Sequence, residues 1–235
     1  MSRKVWLPLG AVVLILNAVQ WMVAEAVTAA AWNDPPYSYA TNYISDLGVP
    51  DCGAQFQGRD LCSPLHQVMN LSFMVQGILF AAGVLLLANL LTGRTRRVVA
   101  TLAVAHGVGF VLVGLFHGSA DGPSFGLVVH VAAAAVGILC ANAVAIIVGS
   151  TRSLRLPTAY RVFSIGIGVL GLLSEAFVGM STATAGVFER GGVYSWLLWS
   201  AVTGALLLVG WLRGTVVEED SLRAQRITAA AASRR

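Results

Sequence analysis

The amino-acid sequence predicts an all-α integral membrane protein: a six-transmembrane-helix bundle, both termini cytoplasmic, with a disulfide-tied first extracytoplasmic loop. Three observations predict it. The chain is 57% hydrophobic and 11% charged, where soluble domains carry roughly 25% charged residues. Several apolar runs reach the ~20 residues that a helix needs to cross a bilayer. The basic residues gather in short clusters between those runs, as they do in cytoplasmic loops. The net charge of +4 therefore reads as topology and not as nucleic-acid binding, for which a basic face with interleaved aromatics is missing. The expected partner is the lipid bilayer.

Helix one, residues 5–31, follows the basic start Arg3-Lys4. The run is longer than the apolar core of a signal peptide and continues past the small-x-small site Ala24-Glu25-Ala26, so it reads as a retained helix. Residues 32–66 form the longest polar break, with Cys52, Cys62 and four of the six aspartates. Helix two spans 66–91 and ends at the basic Gly93-Arg94-Thr95-Arg96-Arg97. Helix three spans 98–116, and a polar turn, HGSADGPSFG, leads into helix four at 127–149. The basic connection STRSLRLPTAYR precedes helix five at 162–183. Glu189, Arg190 and Gly191-Gly192 give 184–194 the composition of a turn. Helix six spans 195–212, and 213–235 is a charged, Ala-rich tail expected to be poorly ordered.

With the N-terminus inside, the cytoplasmic segments of this scheme hold thirteen Lys and Arg residues and the outer segments hold two, Arg59 and Arg190. That asymmetry places both termini in the cytoplasm of a cell whose plasma membrane holds the protein. It also places Cys52 and Cys62 in an oxidising compartment, where a bridge is expected. Closing so short a loop contributes about 3 kcal/mol in the chain-entropy picture. Cys140 falls within helix four and reads as a packing residue.

The candidate site residues are ionisable groups at the outer level of the membrane. Glu25 and Glu175 lie inside apolar runs, where a charge costs about 2.5–3.5 kcal/mol on the lenient insertion scale, so each faces the bundle interior or water. His66 opens helix two, His117 closes helix three, His130 lies one turn into helix four, and Asp46 and Asp121 stand in adjoining loops. Imidazoles and carboxylates at one level suit a divalent metal such as zinc, with His66, His117 and His130 as candidate ligands, or a proton relay. The paired i, i+4 zinc signature is absent, because Asn70 and Ala134 stand four residues after His66 and His130. His106, deeper in helix three, reads as packed and hydrogen-bonded. Trp21, Trp32, Trp196 and Trp199, with nearby tyrosines, suit an aromatic belt. No nucleophile elbow, phosphate-cradling glycine loop or CxxC pair is present.

The element Asn42-Tyr43-Ile44-Ser45-Asp46-Leu47-Gly48 soon after helix one, with Gly114-Leu115-Phe116, the Asp121-Gly122-Pro123 turn and His130, resembles a bacterial integral-membrane family catalogued as domain of unknown function 998. The resemblance implies a six-helix membrane fold and supplies no reaction. Phe116-His117 stands where the family pattern often has Phe-Pro, so no role for position 117 follows from it. The leading expectation is an outward-facing polar pocket, lined by Glu25, Asp46, His66, His117, Asp121, His130 and Glu175, that binds a lipid or other amphiphile. The alternatives are a membrane-embedded enzyme (a metal-assisted hydrolase or an acid-driven isoprenoid cyclase) and a transporter or envelope-complex subunit.

Overall fold

In a hydrocarbon environment every backbone N–H and C=O must be satisfied within the chain, and the apolar runs do so as helices. The computed structural model describes residues 3–118 and 124–214. Among them, six helices are long and apolar enough to cross a membrane: α1 (Arg3–Ala31), α2 (His66–Leu87), α3 (Gly93–Leu115), α4 (Phe125–Ser150), α5 (Thr158–Ala176) and α6 (Ala185–Leu212). Each helix packs on its neighbours in sequence, and α6 closes the bundle against α1. With six helices packed in succession, the start of α1 and the end of α6 lie at the same end of the bundle. The long 32–65 connection, the C-terminal end of α3 with the start of α4, and the α5–α6 connection share one end of the bundle, here termed the hairpin end.

The helix limits differ from the expected ones where charged residues flank an apolar run. The arginines at 94, 96 and 97 form the opening turn of α3 instead of a loop, entered from extended backbone at Thr92. Arginine is a good helix former, and its long stem lets the charged head reach away from the apolar layer. Ser124 caps α4 by accepting from the Leu127 N–H at 3.1 Å. Helix α5 starts directly after Pro157 and ends at Ala176, short of 183. Gly179, at φ +82°, turns the chain there in the left-handed region that glycine adopts most readily. Helix α6 begins at Ala185, so Glu189 and Arg190 are helical residues and not loop residues.

At the hairpin end, β1 (Ala54–Phe56) and β2 (Arg59–Leu61) form an antiparallel pair with Phe56 opposite Arg59. Gln57 and Gly58 between them both have positive φ, as a two-residue turn matching the strand twist requires. The Cys52–Cys62 disulfide closes the base of this hairpin.

The core is aromatic. Trp21 meets Phe73, Phe110 and Trp196 with ring centroids 5.3, 5.6 and 5.9 Å apart. Trp21, Trp32, Trp196 and Trp199 are all buried, so these four tryptophans pack the interior and do not form a belt. His106 sits among Phe80, Phe110 and Trp196 and is bonded at both nitrogens. Its Nδ1 lies 2.8 Å from the Gly137 carbonyl and its Nε2 2.8 Å from the Gln76 amide nitrogen. A carbonyl only accepts, so Nδ1 carries the proton and Nε2 accepts from Gln76.

Candidate functional site

The polar chemistry of the hairpin end is built on a buried ion pair between α1 and α6. Glu25 is 1% exposed and its carboxylate lies 2.9 Å from the Arg190 guanidinium. It also accepts from Trp21 Nε1–H at 3.1 Å and from the Tyr194 hydroxyl at 2.9 Å. Trp21 is one turn before Glu25, and Tyr194 is one turn after Arg190. Helical i, i+4 spacing therefore brings both partners to the pair. A carboxylate so placed is tolerable only because a cation and two neutral donors surround it.

Arg190 also fastens the connecting loop. Its guanidinium donates to the carbonyls of Tyr39 (2.8 Å), Asn42 (2.9 Å) and Gly186 (3.1 Å), and to the Tyr37 hydroxyl. The Tyr37 hydroxyl in turn donates to the Tyr43 carbonyl at 2.9 Å. Burial pushes its pKa well above the ordinary tyrosine value, against the opposing pull of Arg190, so it acts as a neutral hydroxyl. The neighbouring Glu189 carboxylate accepts the backbone N–H groups of Ile44 and Ser45. Those donors open the 3-10 turn Ser45–Gly48 and have no partner within it. Loop and helix approach so closely only because residue 186 is glycine. A Cβ there would stand 2.6 Å from the Tyr39 carbonyl oxygen.

A second buried pair organises the loop itself. Asp46 lies 3.0 Å from Arg59 Nε and accepts from the Tyr43 N–H at 3.0 Å and the Asn42 amide at 3.3 Å. The Arg59 guanidinium stacks over the Tyr43 ring, 4.3 Å from its centroid. Ser63 donates to the Leu47 carbonyl at 2.6 Å, and Asn70 of α2 donates to the Gly48 carbonyl at 2.8 Å. The Asn42–Gly48 element is thus a folded turn held through Asn42, Asp46 and the Leu47 and Gly48 carbonyls.

The remaining predicted residues occupy separate positions. His66 Nδ1 faces the Ser63 carbonyl at 3.0 Å, and the exposed His117 faces the Gly118 carbonyl at 2.9 Å. The buried His130 donates from Nδ1 to the Phe116 carbonyl at 2.7 Å, with the Val113 carbonyl at 3.2 Å. Asp121 lies outside the described residues. Among the described residues, no three His, Cys, Asp or Glu side chains gather as a metal-binding group. Glu175 is half-buried on α5, and a Cβ at Gly192 would stand 2.8 Å from its Oε2. Gly192 is two residues from both Arg190 and Tyr194 and so lies about 160° around the α6 axis from each. Glu25 and Glu175 therefore reach α6 on different faces.

A groove of about 610 Å³ runs between α5 and α6 at the hairpin end. Tyr39, Ala40, Val187 and Arg190 surround its upper part, Tyr194 and Ser195 its middle, and Leu198, Leu170 and Ile167 its deep part. From Arg190 to Leu198 the helix rises about 12 Å. Of the predicted site residues, Glu25 is the one tied to this groove, through its bonds to Arg190 and Tyr194.

Arg190, Glu189 and Tyr194 are absent from the sequence-derived site because their segment carries the composition of a turn. One signal pointed to the pairing. Glu25 and Asp46 are buried acids at one level, and Arg59 and Arg190 are the two basic residues assigned to that level. A buried carboxylate needs a cation, and only those two were within reach.

Residues 11–206 match the model of a family described as protein of unknown function (DUF998). The match covers most of the chain, and the chain belongs to that family. No curated protein matches it, and no solved structure matches it.

Proposed function

We propose that this family member is a multi-pass plasma-membrane protein that binds a lipid or other amphiphile in the groove between α5 and α6. The carrying observation is the gradient of polarity along that groove. Tyr39 and Arg190 stand at the upper end, Tyr194 and the buried Ser195 in the middle, and Leu170, Leu198 and Ile167 offer an apolar wall in the deep part. Leu170, Val187 and Leu198 are each about half exposed, so the groove opens sideways, toward the position that acyl chains occupy around a membrane helix. A pocket with an apolar lining and a few convergent polar groups is the usual form of a small-molecule site.

The buried ion pairs support a holding role for the loop. Glu25 accepts from Trp21, Arg190 and Tyr194, an environment that suits a fixed carboxylate better than one that hands a proton to a substrate. In this reading the 32–65 loop is a cap that sets the upper limit of the groove. The orientation follows from charge: the hairpin end faces out of the cell, and both termini face the cytoplasm.

Native mass spectrometry of the protein extracted with its membrane lipids tests the binding. An amphiphile of discrete mass is expected to accompany the chain and to be lost from Leu170→Trp, whose larger side chain occupies the groove. Equal retention by the folded variant and the parent would remove the groove from the reading. Alkaline phosphatase fused after Gly214 is expected to be inactive, and high activity there would reverse the orientation.

A further inference from the structure

The hydrogen-bond inventory of the groove restricts the charge of what it holds. An anionic head group needs N–H donors that are not already engaged, and among the described residues Arg190 is the only cationic one lining the groove. Its Nε donates to Glu25. One terminal nitrogen donates to the Tyr39, Asn42 and Gly186 carbonyls, and the other meets Tyr37 and Glu25. A guanidinium has five N–H groups, and these partners account for all of them. Its charge is moreover matched by the Glu25 carboxylate. A phosphate entering the groove would find no cation to share and would meet Glu25 behind the guanidinium. An ammonium head would find no free carboxylate, because Glu25 is already engaged by Arg190, Trp21 and Tyr194.

What stays open is acceptor capacity. The Tyr194 hydroxyl has given its proton to Glu25 at 2.9 Å, and the Ser195 hydroxyl has given its proton to the Gly191 carbonyl at 2.7 Å. Each oxygen keeps lone-pair capacity for a ligand O–H, the half-buried Tyr194 more openly than Ser195, which is 4% exposed.

Resting on the amphiphile reading above, we infer that the occupant is an uncharged lipid whose head carries hydroxyl groups. Its hydroxyls donate to Tyr194 and Ser195, and its chain lies along Leu170, Leu198 and Ile167. Phospholipids of either net charge are disfavoured, because burying an uncompensated head-group charge there costs far more than leaving it at the bilayer surface.

The test uses the purified full-length protein in maltoside micelles, titrated with dioleoylglycerol, dioleoylphosphatidylglycerol or a dioleoyl ammonium lipid and read by native mass spectrometry. One diacylglycerol per chain is expected, with half-saturation at least about tenfold lower than for either charged lipid, the margin of one lost charge-compensating contact. Leu170→Trp and Leu198→Trp are expected to abolish that binding; two variants are used so that a failure of one to fold leaves the other as the readout. If a charged lipid binds as tightly and both variants remove it, the groove stands and the uncharged head group is refuted. If no lipid responds to either folded variant, the amphiphile reading falls as well.

Discussion

Replacing Arg190 by glutamine removes the cation from a site in which Glu25 is 1% exposed. The same change unfastens the Tyr39 and Asn42 carbonyls and the Tyr37 hydroxyl from α6. Breaking a buried pair by deleting one partner costs about 3–5 kcal/mol, chiefly because a charge is left uncompensated. Glu25→Gln is gentler, since the guanidinium keeps its carbonyl partners, and is expected to cost about 2–3 kcal/mol, the range for charged hydrogen bonds. The double variant removes both charges together. Its loss should fall short of the sum of the single losses by about 2 kcal/mol, within the usual range for coupled neighbours. Thermal unfolding in one detergent reads all four proteins. At about 2–4 °C per kcal/mol for a chain of this size, Arg190→Gln should lower the midpoint by about 10 °C. Strict additivity, with coupling below about 0.5 kcal/mol, would refute the claim that this pair holds the loop to the bundle.

Three further expectations rest on single features. Alkylation of the denatured, unreduced protein should label one thiol, Cys140, and three after reduction, because Cys52 and Cys62 are bridged; three labels before reduction would contradict the bridge. Gly186→Ala places a Cβ 2.6 Å from the Tyr39 carbonyl oxygen, and overpacking of this kind costs about 1–3 kcal/mol. It should lift the loop and speed proteolysis between residues 33 and 44, and an unchanged cleavage rate would argue against close loop docking. Gln76→Leu deprives His106 Nε2 of its donor at 2.8 Å and should destabilise the protein by about 1–3 kcal/mol, the usual cost of an orphaned buried acceptor. A midpoint equal to the parent's would mean that His106 finds another partner.

The helices were legible because the bilayer imposes a length that few soluble sequences reach. Their ends were less so, and the failures share a cause. Hydropathy reads Arg94, Arg96 and Arg97, and likewise Glu189 and Arg190, as reasons to stop a helix. A helix continues through a charge when the charge has a partner or can reach out on its stem, and the partner is a fact of tertiary structure. Arg190 is satisfied by Glu25, 165 residues away in sequence. The tryptophans show the same limit. Composition suits them to an interface, whereas Trp196, among Trp21, Phe80, His106 and Phe110, is a core residue. Glu25 was legible because a carboxylate in an apolar run is costly and must be explained. The pairing of Cys52 with Cys62 was legible from the compartment that the charge pattern predicts and from short spacing, while the groove was not, since it depends on the packing of α5 against α6.

The two buried ion pairs divide the labour of holding the loop, and this bears on what the protein recognises. Asp46 and Arg59 join the hairpin to the Ser45–Gly48 turn, while Arg190, paired with Glu25, joins residues 37–42 to α6 with help from the Glu189 contacts to Ile44 and Ser45. The disulfide acts on the hairpin half alone. The half that borders the groove is therefore fastened by polar contacts to α6 and to Glu25 of α1, independently of the bridge. Each of these charges faces an opposite charge or backbone groups, and none is left aimed into the groove. The charges fix the shape of the groove's upper end, and on the proposed reading recognition is left to its remaining oxygen lone pairs and its apolar length. A site built in this way selects by size and hydrogen-bonding sense, so salt should alter the attachment of the loop little and the choice of ligand still less, because buried pairs are weakly screened.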